Sequence, residues 1–128
     1  MNQKTKNLHL TKSSYDFAKQ LTEEGVFSEL GKAFQFALSF ALKVNPNIKE
    51  DINSSEYKSL YNIAVMTRID EGGIFSWVIK TLSHQVDIDD INKRIRFLGC
   101  WGLNQIESKY WDNDLKLIKW EELDKDTK

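Results

Sequence analysis

One cysteine, one proline and two histidines are all that this 128-residue chain carries of those types, and each scarcity closes off a class of protein. Cys100 has no partner for an internal disulfide, and residues 1–12 lack the apolar run of a secretory leader, so a reducing cytoplasm is the expected setting. His9 and His84 stand far apart with no cysteine pair at ligand spacing, so neither a metal nor a cofactor is expected. The chain contains no G-x-x-x-x-G-K-[ST] and no G-x-G-x-x-G after a strand, which removes the phosphate-gripping loops of nucleotide hydrolysis. A surplus of one charge is missing too: 18 lysines and arginines nearly balance 19 acids, for a formal net charge of −1. No global field therefore draws the chain to nucleic acid or to an anionic membrane. Long hydrophobic runs are also absent. The densest, EEGVFSELGKAFQFALSFALKVNP at residues 23–46, is broken by Gln35 and Lys43, well short of the ~20 apolar residues that a bilayer demands. No internal repeat or low-complexity segment stands out.

What remains is a globular composition, 41% apolar and 29% charged, with 12% aromatic residues and four tryptophans. That aromatic share is generous for one small core, so some of the rings are expected at an interface. Residues 1–12, MNQKTKNLHLTK, read as a loose basic arm carrying Lys4, Lys6 and Lys12, with the folded domain spanning 13–128. Ser13 and Asp16 give a capping signal for a helix through Phe17 and Leu21 that Gly25 ends in a left-handed conformation. The dense run then reads as a second helix, capped at Ser28 and closed before Pro46. On it Ser28, Lys32, Gln35, Ser39 and Lys43 form one narrow polar stripe. Almost everything else there is apolar, so residues 28–44 are expected to be the aromatic-rich centre of a bundle.

Asn53 and Glu56 make an N-x-x-E cap for a third helix through Tyr57, Leu60, Tyr61, Ala64 and Val65 as far as Ile69, ended by Gly72 and Gly73. Ile74, Phe75, Trp77, Val78, Ile79 and Leu82 fill a short fourth helix, with strand as the lesser alternative. Asp87 caps the longest periodic segment, Ile88 to Tyr110. After it the pattern is ambiguous: Leu115, Leu117 and Trp120 suit a strand, Trp111, Leu115 and Ile118 a helix, and a short helix with a frayed end is the preferred reading. The expected fold is therefore all-α, a single-domain bundle of about five helices.

Candidate chemistry is sparse. Cys100, within FLGCWG on an apolar helix, reads as a small buried hydrophobe without an assignable base. Asp70 and Glu71 in RIDEGG are the best acids for proton transfer, but they serve equally well by leading the positive end of the fourth helix. Gly99 and Gly102, one turn apart, signal a close helix crossing or a kink. Lys93, Arg94 and Arg96 form the densest basic cluster outside the arm, suited to phosphate contact or to a solvated face. Trp111 and Trp120, in the charged C-terminal segment, are the candidate partner anchors, with completion of the core as the equal alternative.

GVF at 25–27, FQFA at 34–37, YNIA at 61–64 and WGL at 101–103 together resemble a family of small prokaryotic proteins associated with the Dnd DNA-phosphorothioation systems. That family is patterned as a short helix, Gly-Val-Phe, an aromatic helix with Phe-x-Phe-Ala, an Asn-Ile-Ala helix and a late Gly-Leu helix, and the likeness spans residues 15–110. Here RIRFLGCWGL is basic where the family carries acidic and aromatic residues before Gly-Leu. The resemblance implies an accessory role in an antiviral-defence or DNA-modification locus and no catalytic residues. The expected function is thus a non-enzymatic accessory or protein-protein interaction component of an anti-phage or DNA-modification system, partnered by a larger protein of the same locus. The alternative is a small DNA-binding or regulatory protein using the arm and Lys93, Arg94 and Arg96, and a homo-oligomer stays open. No membrane contact is expected.

Overall fold

The structure is a computed structural model that describes residues 7–48, 60–83 and 88–128. The expectations that rest on Lys4, Lys6, Asn53, Glu56, Tyr57, His84 and Asp87 lie outside the described residues. In chain order the elements are β1 (Asn7–Thr11), α1 (Lys12–Glu23), α2 (Leu30–Val44), β2 (Leu60–Val65), α3 (Met66–Ile69), α4 (Ile74–Ser83), α5 (Ile88–Tyr110), β3 (Trp111–Asp112), β4 (Leu117–Ile118) and α6 (Trp120–Asp126). A 3-10 turn, Glu71–Gly73, leads into α4. The described residues are mostly helical, with two small sheets beside the helices.

Those sheets correct two expectations. Residues 7–11 do not belong to a loose arm: β1 pairs antiparallel with β2, and its Leu8 and Leu10 are fully buried. Alternation of Leu8 and Leu10 with Asn7 and His9 is the two-residue period of a half-buried strand, compressed into too few residues to stand out. Residues 60–65, expected inside a helix, form β2 instead, so the Asn-Ile-Ala segment of the resemblance is a strand here. Leu8 pairs with Ala64 and His9 with Asn62, which leaves Ile63 outside the pairing as a bulge. Only the one-turn α3 survives of the helix expected to reach Ile69. The fold is mostly helical but not all-α.

Around the main crossing the sequence reading holds. Gly25 sits at φ +76° just past α1, where the Gly25 N–H donates to the Thr22 carbonyl at 3.1 Å and the Val26 N–H to the Leu21 carbonyl at 2.9 Å. This is the paired closure of a glycine-terminated helix, and it turns the chain into α2. α2 starts at Leu30, later than Ser28, and Glu29 precedes it without a side-chain cap. Its Ala33, Phe34, Ala37, Leu38, Phe40 and Ala41 are buried, while Ser28, Lys32, Ser39 and Lys43 are exposed along the expected polar stripe. Gln35, the fifth member, donates its Nε2 to the Ile69 carbonyl at 2.9 Å.

α2 packs against α5 more extensively than any other two elements pack together. A Cβ on Gly99 would collide with the Phe34 ring, and one on Gly102 with the Ala37 carbonyl. The two glycines let the helix axes approach, as a close crossing requires. Buried Ser14 ties α1 to the same helix, donating its hydroxyl to the Cys100 carbonyl at 3.3 Å. Chain residues 111–119 form a tight hairpin, β3 against β4, in place of a helix, with Asp112 Oδ1 accepting from the Asp114 and Leu115 amides at 2.9 and 3.0 Å. A short helix, α6, does follow.

Candidate functional site

Asp70 has a structural occupation. It follows α3, and its carboxylate accepts from the Phe75 N–H at 2.7 Å, the Ser76 N–H at 3.3 Å and the Ser76 hydroxyl. An anion facing the first free amides of a helix satisfies donors that have no partner within it and meets the positive end of its dipole. Of the two roles open to RIDEGG, leading α4 is therefore the one the geometry fulfils for Asp70, while Glu71 is exposed at the rim of a cleft. In that cleft, about 650 Å³ beside the start of α2, Arg68 reaches Glu29 at 3.2 Å.

Cys100 is buried, and burial pushes its thiol pKa up, away from the thiolate that a nucleophile needs. Tyr110 is also perturbed. Burial foremost, then the hydrogen bond from its hydroxyl to Asp126 Oδ2 at 2.7 Å, raises it to about 12. It keeps its proton and pins α6 to the end of α5. Among the described residues, no group of three or more His, Cys, Asp or Glu side chains is placed to hold a metal ion. No helix among them is long and apolar enough to cross a membrane.

The two candidate tryptophans part company. Trp111 is half-buried and meets the fully buried Phe17 edge-on, ring centroids 5.6 Å apart. Trp120 is 47% exposed and touches Phe36 edge-on at 5.4 Å. Leu115 and Leu117 on the neighbouring hairpin are exposed as well, so an apolar patch lies at this end of the chain.

A larger exposed apolar surface lies on α4. Ile74, Trp77, Val78, Thr81 and Leu82 follow the i, i+3, i+4, i+7, i+8 spacing of one helix face. Ile74 and Trp77 are 64% and 67% exposed, and Leu82 is exposed too, while Ile79 is buried on the side of the helix that lies against the rest of the fold. The sequence places Ile74, Trp77, Val78 and Leu82 on one short apolar helix without saying which of them face outward. The available signal was an excess: a ten-residue helix whose apolar side chains spread over more than half of its circumference has more apolar surface than one packing face can cover.

Lys93, Arg94 and Arg96 do not act as one patch. Arg94 turns to the Pro46 carbonyl, which its guanidinium reaches at 2.7 Å, and lies over the Phe97 ring at 5.5 Å. Lys93 and Arg96, one turn apart, face the opposite way and line a cleft of about 370 Å³ with Asn7, His9 and Asn92 over Leu8 and Met66. His9 enters only because residues 7–11 form a strand. No family model, curated protein or solved structure matches this chain.

Proposed function

We propose that this chain is a non-enzymatic interaction protein that presents the outer face of α4 to a larger protein partner. The observation that carries the reading is the solvent-facing row of Ile74, Trp77 and Leu82. A soluble surface tolerates scattered apolar side chains, but a row at helical spacing headed by a tryptophan two-thirds exposed is the form of a helix-face anchor. Trp120, Leu115 and Leu117 supply a second, smaller apolar patch. The best candidates for chemistry are committed elsewhere: Asp70 caps α4 and Cys100 is a buried thiol held protonated. These occupations favour binding over catalysis.

Placement of that partner in a bacterial anti-phage or DNA-modification locus rests on the four motifs resembling the Dnd-associated family and on nothing else. The test is co-purification of the full chain with the products of its neighbouring genes, set beside the double variant Ile74→Ser, Trp77→Ala. We expect a stable complex with one of them, with a modification enzyme, nuclease or helicase as the partner class, and its loss in the double variant at unchanged melting temperature. A complex indifferent to the double variant moves the interface elsewhere, with Trp120→Ala the next substitution. If no neighbouring product binds, the accessory reading fails.

A further inference from the structure

We propose that the cleft between β1 and α5 is a phosphate site, gripped by Lys93 and Arg96. Its described lining carries the ammonium of Lys93, the guanidinium of Arg96, the imidazole of His9 and two amide side chains, Asn7 and Asn92, and includes no carboxylate. In a chain whose acids outnumber its bases, a cavity lined this way concentrates positive potential at one place. Neither Lys93 nor Arg96 makes an ion pair with a described carboxylate. The Arg96 Nε is shut off from solvent and has no hydrogen-bond acceptor among the described residues. Arg96 lines the cleft, and a guanidinium is a planar fork suited to the oxygens of phosphate.

The backbone builds the cleft from two sides. α5 places Lys93 and Arg96 one turn apart on one face, and β1 brings Asn7 and His9 across from them on alternate positions while Leu8 turns into the core. The bulge at Ile63 shifts the β1–β2 register between Leu8 and His9, beside the cleft. At about 370 Å³ the cavity admits a phosphate group together with part of the molecule that carries it. The phosphate of a small ester and that of a nucleic-acid backbone present the same oxygens, and the two sources are separable by experiment. The site is independent of the α4 surface and stands or falls without it.

The test is titration calorimetry of the full chain at fixed ionic strength, balanced with sodium chloride, against inorganic phosphate, adenosine monophosphate and a DNA duplex. Each titration is repeated on Lys93→Gln, Arg96→Gln and the control Lys43→Gln, whose side chain lies on the exposed stripe of α2. We expect saturable binding that weakens about tenfold or more in each cleft variant and not in the control. Loss seen with inorganic phosphate and the mononucleotide assigns a small ester. Loss seen with the duplex alone, with a shallower salt dependence in the variants, assigns a nucleic-acid strand. Lys93 is exposed, so Lys93→Gln reads out binding even where Arg96→Gln unfolds the chain. Absence of saturable binding to every probe, or binding unchanged in Lys93→Gln, overturns the proposal.

Discussion

α2 and α4 are the two strongly apolar helices of this protein, and they meet opposite fates. α2 buries six of its side chains and keeps one polar stripe in water; α4 turns Ile74, Trp77 and Leu82 outward. The difference does not lie in hydrophobicity. It lies in what each helix faces. α5 offers α2 a surface cleared by Gly99 and Gly102, so Phe34 and Ala37 reach its backbone, whereas α4 meets the rest of the fold on one side only. Apolar content tells how much surface wants burial, and the neighbour decides how much is buried.

The comparison can be tested by substitution, and the largest effect is expected at the crossing. Phe34→Ala removes a fully buried ring from the α2–α5 contact and should cost ~3–5 kcal/mol of stability in urea unfolding. Trp77→Ala, by contrast, should change it by ~0.5 kcal/mol or less, since the ring is mostly in water. Equal losses at Phe34 and Trp77 would break the contrast between the two helices. Next in size is Gly102→Ala, whose added methyl must push against the Ala37 carbonyl, with an expected loss of ~1–3 kcal/mol. The same change at Gly73, where nothing crowds the site, tests backbone conformation alone, because Gly73 sits at φ +71°. A Gly102→Ala protein as stable as the parent would show that the helices do not approach as closely as described.

A pH-dependent effect sharpens the picture at the far end of α5. Tyr110 is raised from near 10 to about 12 in the folded state, so the folded protein holds that proton more tightly than the unfolded chain. The associated stability is fully present below pH 10 and is lost as pH rises towards 12. Its size is ~1–3 kcal/mol by linkage. Tyr110→Phe should therefore show a flatter decline of melting temperature between pH 10 and 12 than the parent. Parallel curves would remove Tyr110 as the pin between α5 and α6.

The sequence read well wherever a signal was local and repeated. The polar stripe of α2, the left-handed Gly25, the long period of α5 and the meaning of Gly99 and Gly102 each follow from residues within a few turns of one another. Strands were missed because their cause is distant: Leu60, Tyr61, Ala64 and Val65 have a spacing that fits a helix, and only pairing with β1, some fifty residues earlier, makes the segment extended. The cleft was half legible. Lys93 and Arg96 stood out as charges, but which of three neighbouring bases face together depends on rotation about the α5 axis and on the carbonyl that claims Arg94.

By itself, then, the sequence determined a mostly helical chain, the buried centre at α2 and the glycines that let α5 approach it, because helix periodicity, caps and small residues act over a few positions. Tertiary structure alone decided that residues 7–11 and 60–65 pair as strands, that Trp111 turns towards Phe17 while Trp77 stays in water, and that Lys93 and Arg96 share a cleft with His9. Those outcomes depend on contacts between residues far apart in the chain, where burial and backbone pairing outweigh the weak local preferences of short segments.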